Sequence, residues 1–290
     1  MRLLVTFFSL VFYFSVTSAV ADVVTNSSSE SASNKPIVLK GIKAQGSLLV
    51  GQVDPDADVF LNDKPLKVAD NGVIVFGFGR DAELNHKLTV VSKNGEKHIE
   101  PVTLEKRDYK VQRINGISKK IMNPSKKNQQ RSRAEAALVR KARETDSTRQ
   151  DFLTGFIQPV KGPVTGVYGS QRVYNGVPKR PHFGVDYAAP VGTPVIAPAS
   201  GVVTLAHDDM FYSGGTLIVD HGFGVSSTFI HLSKILVKEG QEIKQGEVIA
   251  EVGKSGRATG AHLDWRINWY KLRIDPQLVM KAMPDEVVFQ

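Results

Sequence analysis

The sequence predicts a mainly β protein in which one helical stretch separates two β regions. Residues 36–104 consist of short runs of alternating apolar and polar residues between turn residues, which is typical of a small β-sandwich. Residues 132–148 contain helix-forming side chains and neither Gly nor Pro. From residue 156 onward, short Val-rich runs again alternate with Gly and Pro. A TIM barrel or a doubly wound sheet is excluded, because both need long helices between successive strands.

Composition limits the chemistry that the chain can perform. The 290 residues are 41% hydrophobic and 23% charged, which is an ordinary globular composition with room for two modest domains. The chain has no Cys, so disulfides, iron–sulfur clusters, thiolate zinc sites and cysteine nucleophiles are excluded. Any metal site must therefore be built from His and carboxylate side chains.

The first residues have the pattern of a secretory signal. An apolar run over residues 3–16 follows Arg2 and leads to an Ala-Val-Ala cleavage pattern that ends at Ala21. We predict a signal peptide over residues 1–21, which places the mature protein in the periplasm or outside the cell. The alternative is an uncleaved membrane anchor, because the length of the apolar run overlaps with that of short anchors. Residues 22–35 are Ser-rich and apolar-poor, which predicts a disordered tether.

Residues 36–104 form the predicted β-sandwich domain. The turn signals within it are Asp54-Pro55, Asn71-Gly72 and Asn94-Gly95. The predicted strands between these turns cover residues 47–53, 58–61, 73–76 and 87–91. His86 and His98 stand among strand-type residues without a carboxylate at ligand spacing, so we expect them to serve packing or surface roles.

Residues 105–154 are predicted to be a basic helical linker. Residues 105–150 contain 14 Lys and Arg against 5 Asp and Glu, a net charge of +9, while the whole chain carries +8. Such a segment is suited to bind an anionic envelope polymer, and after a secretory signal no nucleic-acid partner is expected. The alternative is a solvated helix that only joins two domains. Its apolar positions are too few for a core helix, so we expect it on a surface or across open space.

The candidate chemistry lies in residues 155–283, which contain five of the seven His. His182 and Asp186 are four residues apart, a separation of about 13 Å on a straight strand, whereas zinc ligands lie about 2 Å from the ion. The chain must bend between them, and Gly184 permits that bend. The pair is a candidate metal-binding pair, although a His-x3-Asp pattern alone also occurs by chance.

A second candidate pair lies in an alternating, strand-like run. His262 and Asp264 share one face there, about 6.6 Å apart, so that one could bind a metal while the other contacts a water on it. The residues predicted to face a core on the opposite side are Leu263, Trp265 and Ile267. The plain structural alternative is a half-buried strand with a His–Asp pair on its wet face. His231 ends another strand-like run and is unremarkable by itself.

Taken in order, these elements resemble the lysostaphin/LytM-like zinc endopeptidases, which cut peptidoglycan peptides. The family pattern is H-x3-D, then a strand that ends in H-L-S, then a Gly-rich turn that leads to H-x-H. Here it corresponds to His182 and Asp186, to His231-Leu232-Ser233, and to residues 256–264. The resemblance covers residues 156–276 and implies that residues 155–283 form an antiparallel β-sheet metallopeptidase domain with an open groove.

The resemblance implies a role for each matching residue. His182 and Asp186 would bind Zn²⁺, and Asp264 stands where the family has its third ligand, a His. His231 and His262 match the catalytic histidines, which would orient or deprotonate the attacking water and stabilise the oxyanion that forms.

Asp264 is the departure from the family pattern. A carboxylate is a competent zinc ligand, but it is shorter than imidazole, and two carboxylates would neutralise Zn²⁺ and weaken its polarising action. The other motif positions are intact, which favours a retained site. Arg257, in the turn before the last motif, is a candidate substrate contact. His207 and His221 match no ligand position and are expected to be groove or structural residues.

The resemblance therefore implies a zinc-dependent endopeptidase that hydrolyses peptide bonds of peptidoglycan during cell-wall remodelling. The alternative is a catalytically weak or inactive LytM-like adaptor that binds cell wall or activates an amidase. A biotinyl-like carrier module is disfavoured, because the chain lacks the exposed Met-Lys-Met hairpin of such carriers.

Overall fold

A computed structural model describes residues 37–115 and 125–289. The predicted signal peptide, the predicted tether and residues 116–124 of the predicted linker lie outside the described residues. Within the described part, no helix has both the length and the apolarity needed to cross a bilayer. The structure is mainly β with antiparallel sheets, which confirms the predicted fold class.

The N-terminal part contains two small sheets that share an apolar layer. Its strands are β1 (Leu39–Lys40), β2 (Leu48–Gln52), β3 (Asp58–Leu61), β4 (Lys64–Leu66), β5 (Val73–Gly77), β6 (Asn85–Val91) and β7 (Lys97–Thr103). One sheet has the order β1-β2-β5 and the other the order β4-β3-β6-β7. Leu49, Ile74 and Leu88 are fully buried in the layer between them. Because alternate residues point to opposite faces, Leu48 and Val75 instead join the C-terminal core.

Both histidines of the N-terminal part have structural surroundings. The His86 ring lies 4.4 Å from the Phe78 ring centroid, and its nitrogens contact Asn62 and the Glu83 carbonyl. His98 lies beside Glu100, with 3.6 Å between Nε2 and the nearer carboxylate oxygen.

The basic segment forms a strand and a helix. Strand β8 (Val111–Ile114) is followed by helix α1 (Lys126–Arg143), which begins six residues before the predicted start and ends five residues before the predicted end. The earlier start has a cap, because the Ser125 hydroxyl accepts a hydrogen bond from the Asn128 N–H. Ala142 and neighbouring Val139 pack on the C-terminal sheet. The helix therefore lies on a surface of the sheet, as expected from its few apolar positions.

The C-terminal part is built around one eight-stranded sheet. Its elements are a 3₁₀ helix (Asp151–Thr154), β9 (Val164–Gly166), β10 (Gln171–Tyr174), β11 (Val177–Pro178), β12 (Val185–Ala188), β13 (Pro194–Ile196), β14 (Gly201–Met210), β15 (Gly214–Gly222), β16 (Val225–Leu232), β17 (Lys234–Ile235), β18 (Glu242–Ile243), β19 (Val248–Glu251), β20 (His262–Trp269), β21 (Leu272–Ile274) and α2 (Pro276–Ala282). The large sheet has the order β18-β14-β15-β16-β20-β12-β9, and β21 also pairs with β20.

Strand β20 has one apolar face and one polar face. Leu263, Trp265 and Ile267 are fully buried in the core, as the alternating sequence predicts. The opposite face carries His262, Asp264, Arg266 and Asn268. This polar face is where the predicted site residues come together.

Candidate metal and catalytic site

Sheet register brings the two predicted acid ligands together. Strands β12 and β20 are antiparallel neighbours in which Asp186 is directly opposite Asp264. Side chains in such directly opposed positions have Cβ atoms about 5 Å apart. His182 lies just before β12 on a bent segment, which is held by a hydrogen bond of 2.9 Å from the His182 N–H to the Ser170 carbonyl. The bend expected at Gly184 brings the imidazole back to the carboxylates.

His182, Asp186 and Asp264 form a cluster that can hold one metal ion. Each offers a ligand atom, and these atoms lie within 4.8 Å of one another. Nε2 of His182 and Oδ1 of Asp186 are 3.1 Å apart, are inaccessible to solvent and make no hydrogen bond in the structure. Buried polar atoms that make no hydrogen bond are costly, and a shared cation would satisfy both. The cluster therefore fits a divalent metal.

Two glycines, which have no side chain, leave room for the carboxylates of Asp186 and Asp264. A Cβ added at Gly166 would overlap Oδ2 of Asp186, and one added at Gly184 would overlap Oδ1 of Asp264. Neither overlap could be relieved by a flexible chain end, because both carboxylates are buried. Gly184 thus provides room for the third ligand as well as the bend in the chain.

Arg266 is paired with Asp264 on the same face of β20. Its Nε donates to Oδ1 at 2.8 Å and its Nη2 donates to Oδ2 at 2.6 Å, which is a two-pronged ion pair. Burial alone would raise the pKa of Asp264, but the charge and hydrogen bonds of Arg266 outweigh it and hold the pKa well below its usual range. Each carboxylate oxygen has two lone pairs, so one remains for a metal.

Arg266 changes the charge balance that two carboxylates would otherwise impose. With His182 neutral, the two carboxylates and the guanidinium sum to one negative charge. A divalent ion would leave one net positive charge, the same as a site with two imidazoles and one carboxylate. The Asp264–Arg266 pair is therefore equivalent in charge to a neutral histidine.

His231 and His262 form a pair beside this cluster. Their ring centroids are 4.8 Å apart. His231 contacts the Ser255 carbonyl through Nδ1 at 2.9 Å, and His262 contacts the Gly260 carbonyl through Nδ1 at 2.9 Å. A carbonyl only accepts, so each Nδ1 carries the proton and each Nε2 is free to accept one. Nε2 of His262 is 4.0 Å from Oδ1 of Asp186.

The backbone and burial of His231 suit a chemical role. Its φ of 66° is in the left-handed region, which is uncommon for a residue other than Gly and occurs often at functional sites. Burial lowers its pKa below the usual value, although Asp264 and the Ser255 carbonyl partly oppose that effect. His231 is therefore mainly neutral at pH 7 and can accept a proton.

The remaining predicted residues are not among the three that form the metal-binding cluster. Arg257 stacks over Tyr212, with 3.7 Å from the guanidinium carbon to the ring centroid, and its side chain is exposed at the turn that holds Ser255. His221 is fully buried and bonded to the Ser200 carbonyl and the Ser227 hydroxyl, so its place is structural. The Nδ1 of His207 accepts from the Asp209 N–H.

Sequence reasoning missed two residues of this site. Arg266 lies two residues after Asp264 on the same strand face, so the alternation that pairs His262 with Asp264 could have revealed it. Ser255 orients His231 through its carbonyl, and its hydroxyl bridges the Leu232 carbonyl and the Gly215 N–H. Each of these hydrogen bonds involves a backbone group and joins Ser255 to a residue that is distant in sequence, so no pattern of side chains predicts them.

The fold and the cluster together define a metallopeptidase-type site on an antiparallel sheet. Residues 180–276 match the sequence profile of peptidase family M23. A solved structure described as a putative peptidase M23 from Pseudomonas aeruginosa is 30% identical, with a TM-score of 0.65, and the match covers 83% of this chain and 96% of that one. The chain belongs to peptidase family M23.

Named relatives match less than half of this chain. Peptidoglycan DD-endopeptidase ShyB of Vibrio cholerae is 37% identical over 137 residues, which is 47% of this chain and 29% of the relative. DD-carboxypeptidase/endopeptidase Mpg of Neisseria meningitidis is 44% identical over 106 residues, which is 37% of this chain and 24% of the relative. The chain thus spans less than a third of the length of these two relatives.

Proposed function

We propose that this protein is a zinc-dependent endopeptidase that hydrolyses peptide bonds of peptidoglycan in cell-wall remodelling. The observation that carries the proposal is the buried atom pair of His182 and Asp186, in which neither atom makes a hydrogen bond, with Asp264 beside it and two imidazoles adjacent. The names of the relatives, which include peptidoglycan DD-endopeptidases, support this choice of substrate. A wall substrate also agrees with the predicted signal peptide, which would place the enzyme outside the cytoplasm.

The metal ligands in this proposal are His182, Asp186 and Asp264. Zinc bound there would act as a Lewis acid that polarises a carbonyl and acidifies water. Asp186 and Asp264 supply the negative charge that holds the ion, and Arg266 keeps Asp264 ionised and fixed in orientation. The pair also prevents two carboxylates from cancelling the charge of the ion.

The two histidines move the protons. Nε2 of neutral His231 takes a proton from the water as its oxygen bonds to the peptide carbonyl carbon. When the carbon–nitrogen bond breaks, the same proton passes to the leaving amine, so the imidazole returns to its neutral form. A His262 that has taken a second proton from solvent onto Nε2 would donate a hydrogen bond to the negative oxygen that forms on the carbonyl carbon, and it would keep that proton throughout. The Ser255 and Gly260 carbonyls keep both rings oriented for these roles.

Digestion of purified sacculi by the full mature chain tests the proposal. Mass spectrometry of the released fragments should find new amine termini with the parent and at least a hundredfold fewer with His231→Ala, which is the scale of a lost general base. Asp264→Ala should show a similar loss. His207→Ala is the matched control, because that side chain is outside the cluster, and it should retain parental activity.

Two outcomes would contradict the proposal. Sacculi left intact by the zinc-loaded parent would remove the hydrolytic function. Fragments that appear only when an amidase is added, and that persist with His231→Ala, would favour the adaptor.

A further inference from the structure

A cavity lined largely by cations lies at the C-terminal end of β20. It has a volume of about 600 Å³. Its charged lining residues are Arg140, Arg143, Glu144, Lys271 and Arg273, and Trp269 and Leu272 provide apolar walls. Four cations thus face one carboxylate. The cavity lies between the C-terminal end of α1 and the β20–β21 turn.

Three buried donors of this cavity have no partner. Nε of Arg143, Nη1 of Arg273 and Nε1 of Trp269 are inaccessible to solvent and make no hydrogen bond in the structure. Among the described residues, neither arginine forms an ion pair with a carboxylate, although Arg143 donates from Nη2 to the Thr228 hydroxyl at 2.9 Å. A buried donor left unsatisfied costs about 1–3 kcal/mol, and more when it is charged. An acceptor with negative charge would satisfy the donors of the two arginines.

Repulsion between the positive charges of neighbouring arginines also favours the binding of an anion. Burial and the charge of Arg266 lower the pKa of Arg273 to about 10. Burial, together with Arg273 and Arg266, holds the pKa of Arg143 well below its usual range. Arg143 and Arg273 therefore lie near other guanidinium groups, and neither is ion-paired with a carboxylate among the described residues. An anion entering the cavity would pair with both.

The cavity belongs to the same sheet face as the metal cluster. On β20, Asp264, Arg266 and Asn268 succeed one another on that face. Arg273 pairs in register with Asn268, and Thr228, which bonds Arg143, pairs with Arg266. Four residues of strand separate Asp264 from Asn268, a distance of about 13 Å. That distance equals the span of about four residues of an extended peptide.

We propose that the cavity between Arg143 and Arg273 is a substrate subsite that binds a free carboxylate of the peptide substrate. Two guanidinium groups suit a carboxylate, and the Trp269 and Leu272 walls suit the apolar stem that carries it. The inference rests on the proposed peptidase function. We choose a peptide as the ligand because the cavity and the metal cluster lie on the same sheet face. A phosphate-bearing polymer is the competing source of negative charge, and the experiment distinguishes it.

Calorimetric binding to the zinc-free full chain at low salt tests the subsite without measuring catalysis. The probes are the acetylated tripeptide Lys-Ala-Ala with a free terminal carboxylate, the same tripeptide as terminal amide, and inorganic phosphate. The acid should bind the parent at least tenfold more tightly than the amide, which is the scale of one charge-assisted hydrogen bond. Arg273→Gln should abolish that preference. Arg133→Gln, on an exposed position of α1, is the matched control and should keep it.

A stability measurement separates a ligand-binding role from a structural one. Because Arg273 has no carboxylate partner in the part of the chain that the structure describes, Arg273→Gln should unfold at the same urea concentration as the parent or at a higher one. Equal binding of acid and amide by the parent, no binding of the acid at about 10 mM, or a preference retained after Arg273→Gln would overturn the subsite. The cavity would instead be assigned to a phosphate polymer if the parent binds phosphate more tightly than the acid and Arg273→Gln abolishes phosphate binding.

The binding experiment and the digestion experiment test different proposals, so either result can be negative without the other. A parent that digests sacculi but does not distinguish acid from amide refutes the subsite alone. A parent that prefers the acid but digests nothing refutes the peptidase function and leaves a peptide-binding protein.

Discussion

Replacement of Arg266 by Met tests whether this residue neutralises the site. The substitution removes both hydrogen bonds to Asp264 and leaves that carboxylate buried opposite Asp186. Breaking a buried ion pair by removing one partner costs about 3–5 kcal/mol. The side chain of Asp264 is 4% exposed, but that of Arg266 is 25% exposed, so water already reaches part of the pair. We therefore expect the free energy of unfolding of the metal-free protein to fall by about 3 kcal/mol, near the lower end of that range.

Zinc should recover part of that loss. A divalent cation takes over the neutralisation of both carboxylates, so Arg266→Met should be stabilised by zinc more than the parent is. Urea unfolding of both proteins, with zinc and with a chelator, gives the four free energies that are needed. Lys93→Met is the matched control, because Lys93 pairs with Asp56 at 3.0 Å on an exposed surface, and it should change stability by less than about 0.5 kcal/mol.

The reasoning would be refuted by a metal-free Arg266→Met protein within about 1 kcal/mol of the parent. Equal zinc stabilisation of parent and variant would refute it as well.

Three further predictions concern stability and metal binding. Burial lowers the pKa of His221 to about 4, so the folded state binds fewer protons than the unfolded state below pH 6.5. Stability should fall by about 2 kcal/mol between pH 7.5 and pH 5, and His221→Gln should remove that part of the pH dependence in urea titrations. Gly184→Ala should weaken zinc binding in a chelator competition at least tenfold, whereas Gly260→Ala, where an added Cβ meets nothing within 4 Å, should not. Glu135→Ala leaves the Phe211 N–H without its acceptor and should lower the free energy of unfolding by about 1–3 kcal/mol.

The spacing of apolar residues and the positions of turn-forming residues predicted most of the local structure. The alternation in residues 262–267 predicted which side of β20 enters the core, because the two faces of a strand differ in burial. The strand over residues 73–76 was predicted as well, but alternation does not predict which core each face enters when both faces are buried, as in β5, where Val75 and Ile74 enter different cores. The start of the helix differed from prediction because Ser125 caps α1 upstream of the Ala-rich run.

The candidate site was predictable only where its residues are local in sequence or follow a family pattern. The pattern predicted the approach of His182, Asp186 and Asp264, and the structure places their ligand atoms within 4.8 Å of one another. Their roles stay predictions, as do the domain boundaries. Arg143 comes from a separate helix and reaches the sheet through tertiary packing, so no spacing rule links it to Arg273.

Zinc content is the most direct test of the central claim that His182, Asp186 and Asp264 bind one metal ion. The full mature chain, loaded with zinc and dialysed at neutral pH, should hold one zinc per molecule by elemental analysis, and His182→Ala should hold almost none while remaining folded. A folded parent that retains no zinc, or a His182→Ala variant with the full parental content, would contradict the account.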